Sequence, residues 1–514
     1  MRPNLPHAPA MAKRFFLTTA IAYPNGKPHM GHAYEAIATD VIARFKRLDG
    51  HEVLFLTGTD EHGLKIAQAA ASADMSPRAY VDGTSQPFIM LDRQLNISFD
   101  RFIRTTDEDH KALCQQLWQR MAANGDMYLG KYEGWYSVRD EAYYDESELT
   151  DAEGTKLSPQ GTPVEWTVEE SWFFRLSAYQ DKLLALYEAQ PDFVQPSSRM
   201  NEMRQFVAGG LQDLSMSRTS FDWGVPVPGA PGHVMYVWVD ALANYLTGAG
   251  GLDSDWWPAD LHVIGKDVVR FHAIYWPAFL LSAGLALPKT VFGHGFLLNR
   301  GEKMSKSLGN VVDPAQMAEK FGVDRLRWFL CRDVAFGEDG SYSDEAIVER
   351  TNADLANGIG NLAQRALSMV AKNLGGVMPA AGQGDVETAL RAEMTRLTTA
   401  YFEAMNGLQL HRALDAVMAM VTAANGYFAE AAPWGLAKTD PDQMAAVLGT
   451  TLDCARRIVL LAQPFVPDSS AKLLDLMGVD TNSRDFKDFN ISVASGTQLS
   501  APAGVFPRLV LDAA

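Results

Sequence analysis

Ile21-Ala22-Tyr23-Pro24-Asn25-Gly26-Lys27-Pro28-His29-Met30-Gly31-His32-Ala33-Tyr34-Glu35-Ala36-Ile37 is the stretch around which the chain is organised. Phe15 to Tyr23 is apolar and partly β-branched, Pro24 to Pro28 break that pattern, and Ile37, Val41, Ile42 and Phe45 recur at helical spacing. The spacing predicts strand, turn, helix, with His29 and His32 three apart on one face of the first turn. A helix start directs unpaired N–H groups and a partial positive charge outward, which suits phosphate. Gly31 has no side chain and leaves room for a flat group such as a base. Taken alone, four letters are better explained by two surface histidines capping a helix.

Outward from this stretch the same pattern repeats. Glu52 to Thr59 reads as a buried strand ending in Gly58-Thr59-Asp60-Glu61-His62-Gly63, Arg101 to Thr106 as a third strand, and Ala70 to Gln94 and His110 to Asn124 as helical. This alternation predicts a parallel sheet covered by helices, with ligands at the carboxyl ends of its strands. From Met127 to about Pro231 the chain turns aromatic, acidic and turn-rich, and reads as an insertion. The alternating pattern returns with Met235 to Asp240, Leu261 to Asp267 and Thr290 to His294, so the sheet is split. After about Ser343 strand signals vanish, and Leu414, Val417, Met418, Val421 and Ala424 keep helical spacing, which predicts a helical bundle.

At 514 residues the chain has room for two to four domains. Its longest apolar run, Trp276 to Leu287, is too short for a bilayer and contains Pro277 and Ser282, so no membrane span is expected. Met1 to Lys13 reads as a flexible leader, with Met11 as an alternative start. Cys114, Cys331 and Cys454 lie far apart in sequence, which points to a reducing cytoplasm rather than disulfides or a cysteine metal cluster. A formal charge of -17 argues against a coat of nucleic acid and requires any such contact to be local.

Arg300-Gly301-Glu302-Lys303-Met304-Ser305-Lys306-Ser307-Leu308-Gly309-Asn310 carries two lysines three apart between glycines and hydroxyl residues, a loop suited to bringing ammonium groups to a polyphosphate. Alone it is a solvated loop. Paired with the upstream H-x-G-H it becomes specific, and the chain resembles the class I aminoacyl-tRNA synthetases, within them the methionyl-tRNA synthetases. That narrower resemblance runs from about Phe15 to beyond Phe465. It rests on Thr57 to Gly63, Tyr236-Val237-Trp238-Val239-Asp240-Ala241, Gly265-Lys266-Asp267 with His272, and Asn361-Leu362-Ala363-Gln364-Arg365 with Pro433-Trp434.

The resemblance implies a Rossmann-like, doubly wound α/β catalytic domain (1–126, with 1–13 the leader, and 232–298) split by a connective insertion (127–231). A lysine loop and stem-contact linker (299–344) and an α-helical anticodon-binding bundle (345–514) follow. It implies that methionine lies between Ala20, Ile21 and Tyr23 on one side and Trp238, Ala241, Leu242, Tyr245, Val268 and His272 on the other. Asp60 would hold its ammonium, with Arg218 orienting that carboxylate. Aromatic edges suit a polarizable thioether, whose weak acceptor a Tyr or His donor can read. Leu242 stands where relatives often have proline. The implied reaction is in-line attack of the methionine carboxylate on the α-phosphorus of ATP, then transfer to the terminal ribose of methionine-accepting tRNAs, elongator and initiator. His29, Gly31, His32, Lys266, Lys303, Ser305 and Lys306 would bind ATP; the two histidines and Lys303 and Lys306 would stabilise the transition state, and Mg²⁺ would arrive with ATP.

Many relatives carry C-x-x-C pairs holding zinc in the insertion. Here Ser137-Val138-Arg139-Asp140 and Leu157-Ser158-Pro159-Gln160 stand at those positions and supply no thiolates, so a metal-free insertion is expected. Asn361, Arg365 and Trp434 match anticodon readers, which stack splayed bases on aromatics; Trp434 could equally pack a helix end. A synthetase for an aliphatic residue would need a much larger editing insertion, and a catalytically dead RNA-binding relative would not need both histidines and both lysines. No further dimerising domain is evident after Leu509, so a monomer is expected.

Overall fold

The computed structural model describes residues 13–140, 142–152, 154–302 and 312–511. Lys303, Ser305 and Lys306, and the leader as far as Ala12, therefore lie outside the described residues.

The opening stretch folds as its pattern requires. Strand β1 (Arg14–Thr18) ends before the proline turn and helix α1 (Met30–Leu48) begins just beyond it. There follow β2 (Glu52–Thr59), α2 (Gln86–Gln94), β3 (Arg101–Arg104) and α3 (Glu108–Ala123). In the insertion, β4 (Met127–Ser137) and β5 (Glu165–Phe174) form a long antiparallel pair. Next come the short strand β6 (Val194–Gln195), helix α4 (Val237–Ala249), β7 (Leu261–Gly265) and β8 (Val291–His294).

The main sheet has the order β3-β2-β1-β7-β8-β6 and is parallel throughout. The chain moves from β1 to β2 and β3 on one side and returns to β7 and β8 on the other. The strand order thus reverses between β1 and β7, and a crevice at the carboxyl ends of the strands opens there. Both faces are covered: Leu17 packs with Ile37 and Val41 of α1, Phe16 with Leu56, Ile103 and residues of α3 and α4. Strands buried on both faces read as unbroken apolar runs. Two glycines permit the close packing, since a Cβ on Gly58 would lie 2.1 Å from the Ile103 carbonyl oxygen and one on Gly248 would lie 2.2 Å from Leu56 Cδ2.

Two expectations are corrected. Met235 to Asp240 is not a sheet strand: Val234–Met235 forms a two-residue ribbon with Ser217–Arg218, and Val237 onward is helix. Nearly every residue of α4 is buried, so a helix covered on all sides shows no apolar stripe. Within the span read as insertion, Val194–Gln195 pairs with β8 as the last strand of the main sheet.

Beyond Tyr342 the described residues form helices, among them α6 (Asn361–Asn373), α7 (Leu410–Ala431) and α8 (Pro441–Ala462), preceded by α5 (Val323–Asp333). Arg327 of α5 joins these parts. Its fully buried guanidinium donates to Asp40 Oδ2 of α1 (2.6 Å), to the carbonyls of Pro464 (2.9 Å) and Phe465 (3.0 Å) after α8, and to that of Leu95 (3.3 Å) after α2. No described helix is long and apolar enough to cross a membrane.

Candidate active site

His29 is the N-cap of α1 and His32 its third residue. His29 Nδ1 accepts from the Gly31 N–H at 3.1 Å, and His32 Nδ1 accepts from the His29 N–H at 3.1 Å. The two rings therefore replace the usual hydroxyl and carboxylate of a capping box, and stack with centroids 3.8 Å apart. The geometry settles the tautomers. With both Nδ1 atoms accepting from backbone donors, each neutral ring carries its proton on Nε2. Burial, and then the neighbouring His29 imidazole, push the His32 pKa well below its ordinary value, so His32 is neutral at pH 7. Two N–H donors are thus fixed at a helix start, and a side chain on Gly31 would press on the His29 ring at 3.0 Å.

One turn further along α1 lies a group that sequence reasoning missed. Glu35 Oε1 accepts from the Ala20 N–H at 3.1 Å, and Glu35 Oε2 pairs with His294 Nε2 at 2.8 Å at the end of β8. His294 Nδ1 faces the Gly295 carbonyl at 2.8 Å. Burial alone would lower the His294 pKa, but the Glu35 carboxylate and the Gly295 carbonyl beside its two nitrogens raise it above its ordinary value, while burial also raises that of Glu35. The pair locks α1 to the ends of β1 and β8. Only the three-residue spacing from His32 hinted at it.

On the other side of β1, the residues expected to surround an amino acid assemble in two groups. Asp60 is buried, and its N–H donates to the Ala22 carbonyl (2.8 Å); the Ala22 N–H in turn donates to the Gly58 carbonyl (2.9 Å), and Tyr23 Oη donates to the His62 carbonyl (3.2 Å). Facing them, Tyr245 Oη meets His272 Nε2 at 2.6 Å, and His272 Nδ1 meets the Val268 carbonyl at 2.9 Å. Burial holds the His272 pKa down at about 4, so the ring is neutral with its proton on Nδ1, and Tyr245 is the donor to Nε2. Both protons are therefore committed, to His272 and to the Val268 carbonyl. In this conformation the wall offers polarizable surface rather than the Tyr or His donor expected for a thioether. Ala241 and Leu242 are buried beside it, and Ala20, Ile21, Trp238 and Val268 pack against the same core. Trp238 stacks face to face on Phe271 (centroids 3.6 Å, 4°), a partner the sequence did not single out beside His272.

The two groups are tied by Asp240, whose carboxylate pairs with His62 Nδ1 (2.6 Å) and His110 Nε2 (2.7 Å). His62 follows Asp60 by two residues, and Asp240 follows Trp238 by two. Arg218 is buried with its guanidinium 4.7 Å from the Tyr236 ring, donating to Ser215 Oγ (2.8 Å) and the Ser217 carbonyl (2.7 Å). Lys266, expected at ATP, here grips both oxygens of Asp339 at 2.7 and 2.8 Å.

At the insertion's tip the side chains meet in a hydrogen-bonded knot. Asp140 Oδ2 accepts from Ser158 Oγ (2.6 Å), Thr162 Oγ1 (2.5 Å) and Tyr144 Oη (3.0 Å), and Ser137 Oγ meets Thr162 Oγ1 at 2.7 Å. Four hydroxyls and a carboxylate bonded to one another do not fit the donor set of a structural zinc site. Between this insertion and the crevice lies a cavity of about 1360 Å³ whose walls include Tyr128, Arg139, Arg199, Phe206, Arg270 and Phe271.

In the helical part, Asn361 and Arg365 lie one turn apart on α6. The Arg365 guanidinium is 4.8 Å from the Phe428 ring and 5.6 Å from that of Trp434, which is 52% exposed. Trp434 also meets Phe428 edge to face at 5.9 Å, so it has both a packed edge and an open surface.

Comparison with known proteins identifies the family. The family model described as tRNA synthetases class I (M) matches residues 15–367, and the anticodon binding domain of methionyl tRNA ligase matches residues 378–513. Methionine–tRNA ligase of Mesorhizobium japonicum is 58% identical over 507 residues, 97% of this chain and 98% of the relative. The ligase of Mycobacterium tuberculosis strain H37Rv is 57% identical over 508 residues, covering 96% and 98%. Among solved structures, Mycobacterium tuberculosis methionyl-tRNA synthetase in complex with methionyl-adenylate superposes with a TM-score of 0.94 at 57% identity, covering 96% of this chain and 100% of that one. The apo form of that enzyme superposes with a TM-score of 0.89 at 52% identity, covering 98% and 100%. With both family models matching in sequence along one chain and relatives aligned over nearly its full length, the chain belongs to the methionine–tRNA ligase family of class I aminoacyl-tRNA synthetases.

Proposed function

We propose that this chain activates L-methionine with ATP to methionyl-adenylate and pyrophosphate, then transfers methionine to the 3′ end of its tRNA. The observation that carries the assignment is the pair of Nε2–H donors fixed at the start of α1, beside the crevice where the sheet reverses. Charge in this reaction spreads over phosphate oxygens, so the protein positions the reactants and supplies donors. His29 and His32 donate to the phosphates, Gly31 admits adenine, and Lys303, Ser305 and Lys306 close over the polyphosphate. Lys266 joins them on release from Asp339, and Mg²⁺ binds mainly through phosphate oxygens. Asp60 takes the substrate ammonium, Arg218 orients that carboxylate, and Trp238, Tyr245 and His272 surround the thioether. Asn361, Arg365 and Trp434 read the anticodon, and the insertion works without a metal.

ATP–pyrophosphate exchange run amino acid by amino acid tests the first half: exchange is expected with methionine and, more weakly, homocysteine, since about 1–3 kcal/mol separates substrates that differ by one methyl group. Stronger exchange with any other amino acid rejects the assignment. Charging of methionine-accepting tRNA tests the second half.

A further inference from the structure

His262 lies behind the wall assigned to the thioether. It is fully buried on β7, paired in register with Thr18 of β1, and its Nδ1 lies 2.9 Å from Thr18 Oγ1. The imidazole therefore bridges the two strands between which the sheet order reverses. Its Nε2 is buried and has no hydrogen-bond partner among the described residues. A buried polar atom without a partner carries a desolvation penalty, so stability alone does not account for an imidazole here. What the ring does contact is Tyr245, with centroids 4.1 Å apart and planes at 32°. The other rings beside Tyr245 are more distant, His272 at 5.6 Å and Trp276 at 6.1 Å. Tyr245 is thus held at its hydroxyl by His272 and on its ring face by His262.

We propose that His262 is a positioning residue for methionine recognition: its ring, anchored to Thr18, sets the plane of Tyr245 and so the shape of the pocket wall. This rests on methionine lying beside Tyr245. The ring face is the operative feature, and Nε2 contributes nothing to it.

The test is methionine-dependent pyrophosphate exchange on the full chain, with melting temperature measured alongside. His262→Leu removes the flat face and is expected to raise KM for methionine roughly tenfold and to reduce the preference for methionine over norleucine, the scale of a lost apolar contact. Its kcat and its KM for ATP should stay within about twofold, because the phosphate-side donors are untouched. His262→Asn, which keeps a nitrogen near Thr18 and lacks the ring, should behave like Leu and stands in if the Leu variant does not fold. His262→Phe restores the ring but leaves the buried Thr18 hydroxyl without its partner, so its KM should recover at least about threefold relative to the Leu variant while its melting temperature falls below wild type. A folded Leu or Asn variant with unchanged methionine KM overturns the proposal, as does a Phe variant impaired like Leu. Tyr245→Leu separates the two readings: an unchanged KM there rejects the pocket itself, whereas a raised KM there with none in His262→Leu rejects only the positioning role.

Discussion

Replacing His32 by Asn and by Gln separates its two duties at the start of α1. Its Nδ1 accepts the His29 N–H at 3.1 Å and completes the cap, whereas Nε2 carries the proton that the proposed function directs to phosphate. The amide of Asn reaches about as far as Nδ1, and that of Gln about as far as Nε2. His32→Asn therefore keeps a cap acceptor and loses the donor; His32→Gln keeps a donor and weakens the cap. Loss of one preorganised transition-state donor is worth about 10²–10³ in rate, and loss of a cap about 0.5–2 kcal/mol of stability. His32→Asn should thus lower kcat for methionine-dependent pyrophosphate exchange by about two to three powers of ten, with KM for methionine and melting temperature near wild type. His32→Gln should recover at least tenfold of that rate and melt a few degrees lower. Equal rates in the two variants, or an Asn variant within threefold of wild type, would refute the division of roles between the two nitrogens.

Arg327→Met should cost about 1–3 kcal/mol, read from the denaturant midpoint, by removing one of two guanidinium partners of a fully buried carboxylate and the donor to the Leu95, Pro464 and Phe465 carbonyls. Burial alone would raise the Asp40 pKa, but Arg327 and Arg44 hold it below the usual carboxylate range. Its contribution is therefore present above about pH 3.8 and lost as pH falls through the lower folded value; a shift of the midpoint at pH 7 below 1 kcal/mol equivalent would contradict this. Asp92 has the opposite sign. Burial, with the charges of Asp40 and Glu35, raises its pKa to about 7 from the ordinary 3.8, so the fold loses stability as pH rises between those values, by up to roughly 4 kcal/mol. Asp92→Asn should melt higher than wild type at pH 8.5 and near it at pH 4.5, and an equal difference at both would be inconsistent. Trp434→Ala should weaken tRNA charging by tenfold or more while leaving pyrophosphate exchange within about twofold, in line with about 1–3 kcal/mol for a stacked base; equal damage to both steps would favour packing against Phe428 as its role. Asp140→Ala should loosen the insertion tip and reduce charging more than exchange, and chelator treatment of the wild type should leave its melting temperature unchanged; a drop on chelation would indicate a bound metal.

Much of the site was legible in the sequence because its parts are local. The His29 and His32 cap, the Thr57 to His62 turn and the spacing from Trp238 to Tyr245 each lie within a single element, and helical or strand periodicity places such residues directly. Legibility failed at Met235 to Asp240, where a helix buried on every side carries no stripe, and it did not extend to Asp339, the carboxylate 73 residues away that holds the Lys266 ammonium.

By itself, then, the sequence determined the alternation of strands and helices, the histidine pair at the start of α1, the absence of thiolates from the insertion and the family. The tertiary structure decided which groups meet: Glu35 with His294, Asp240 with both His62 and His110, Thr18 with His262, and Arg327 with Asp40 and the bundle. Periodicity reports which face of an element is apolar, but a buried polar contact depends on strand order and helix docking. Those bring together residues up to 287 positions apart, and no local pattern encodes that separation.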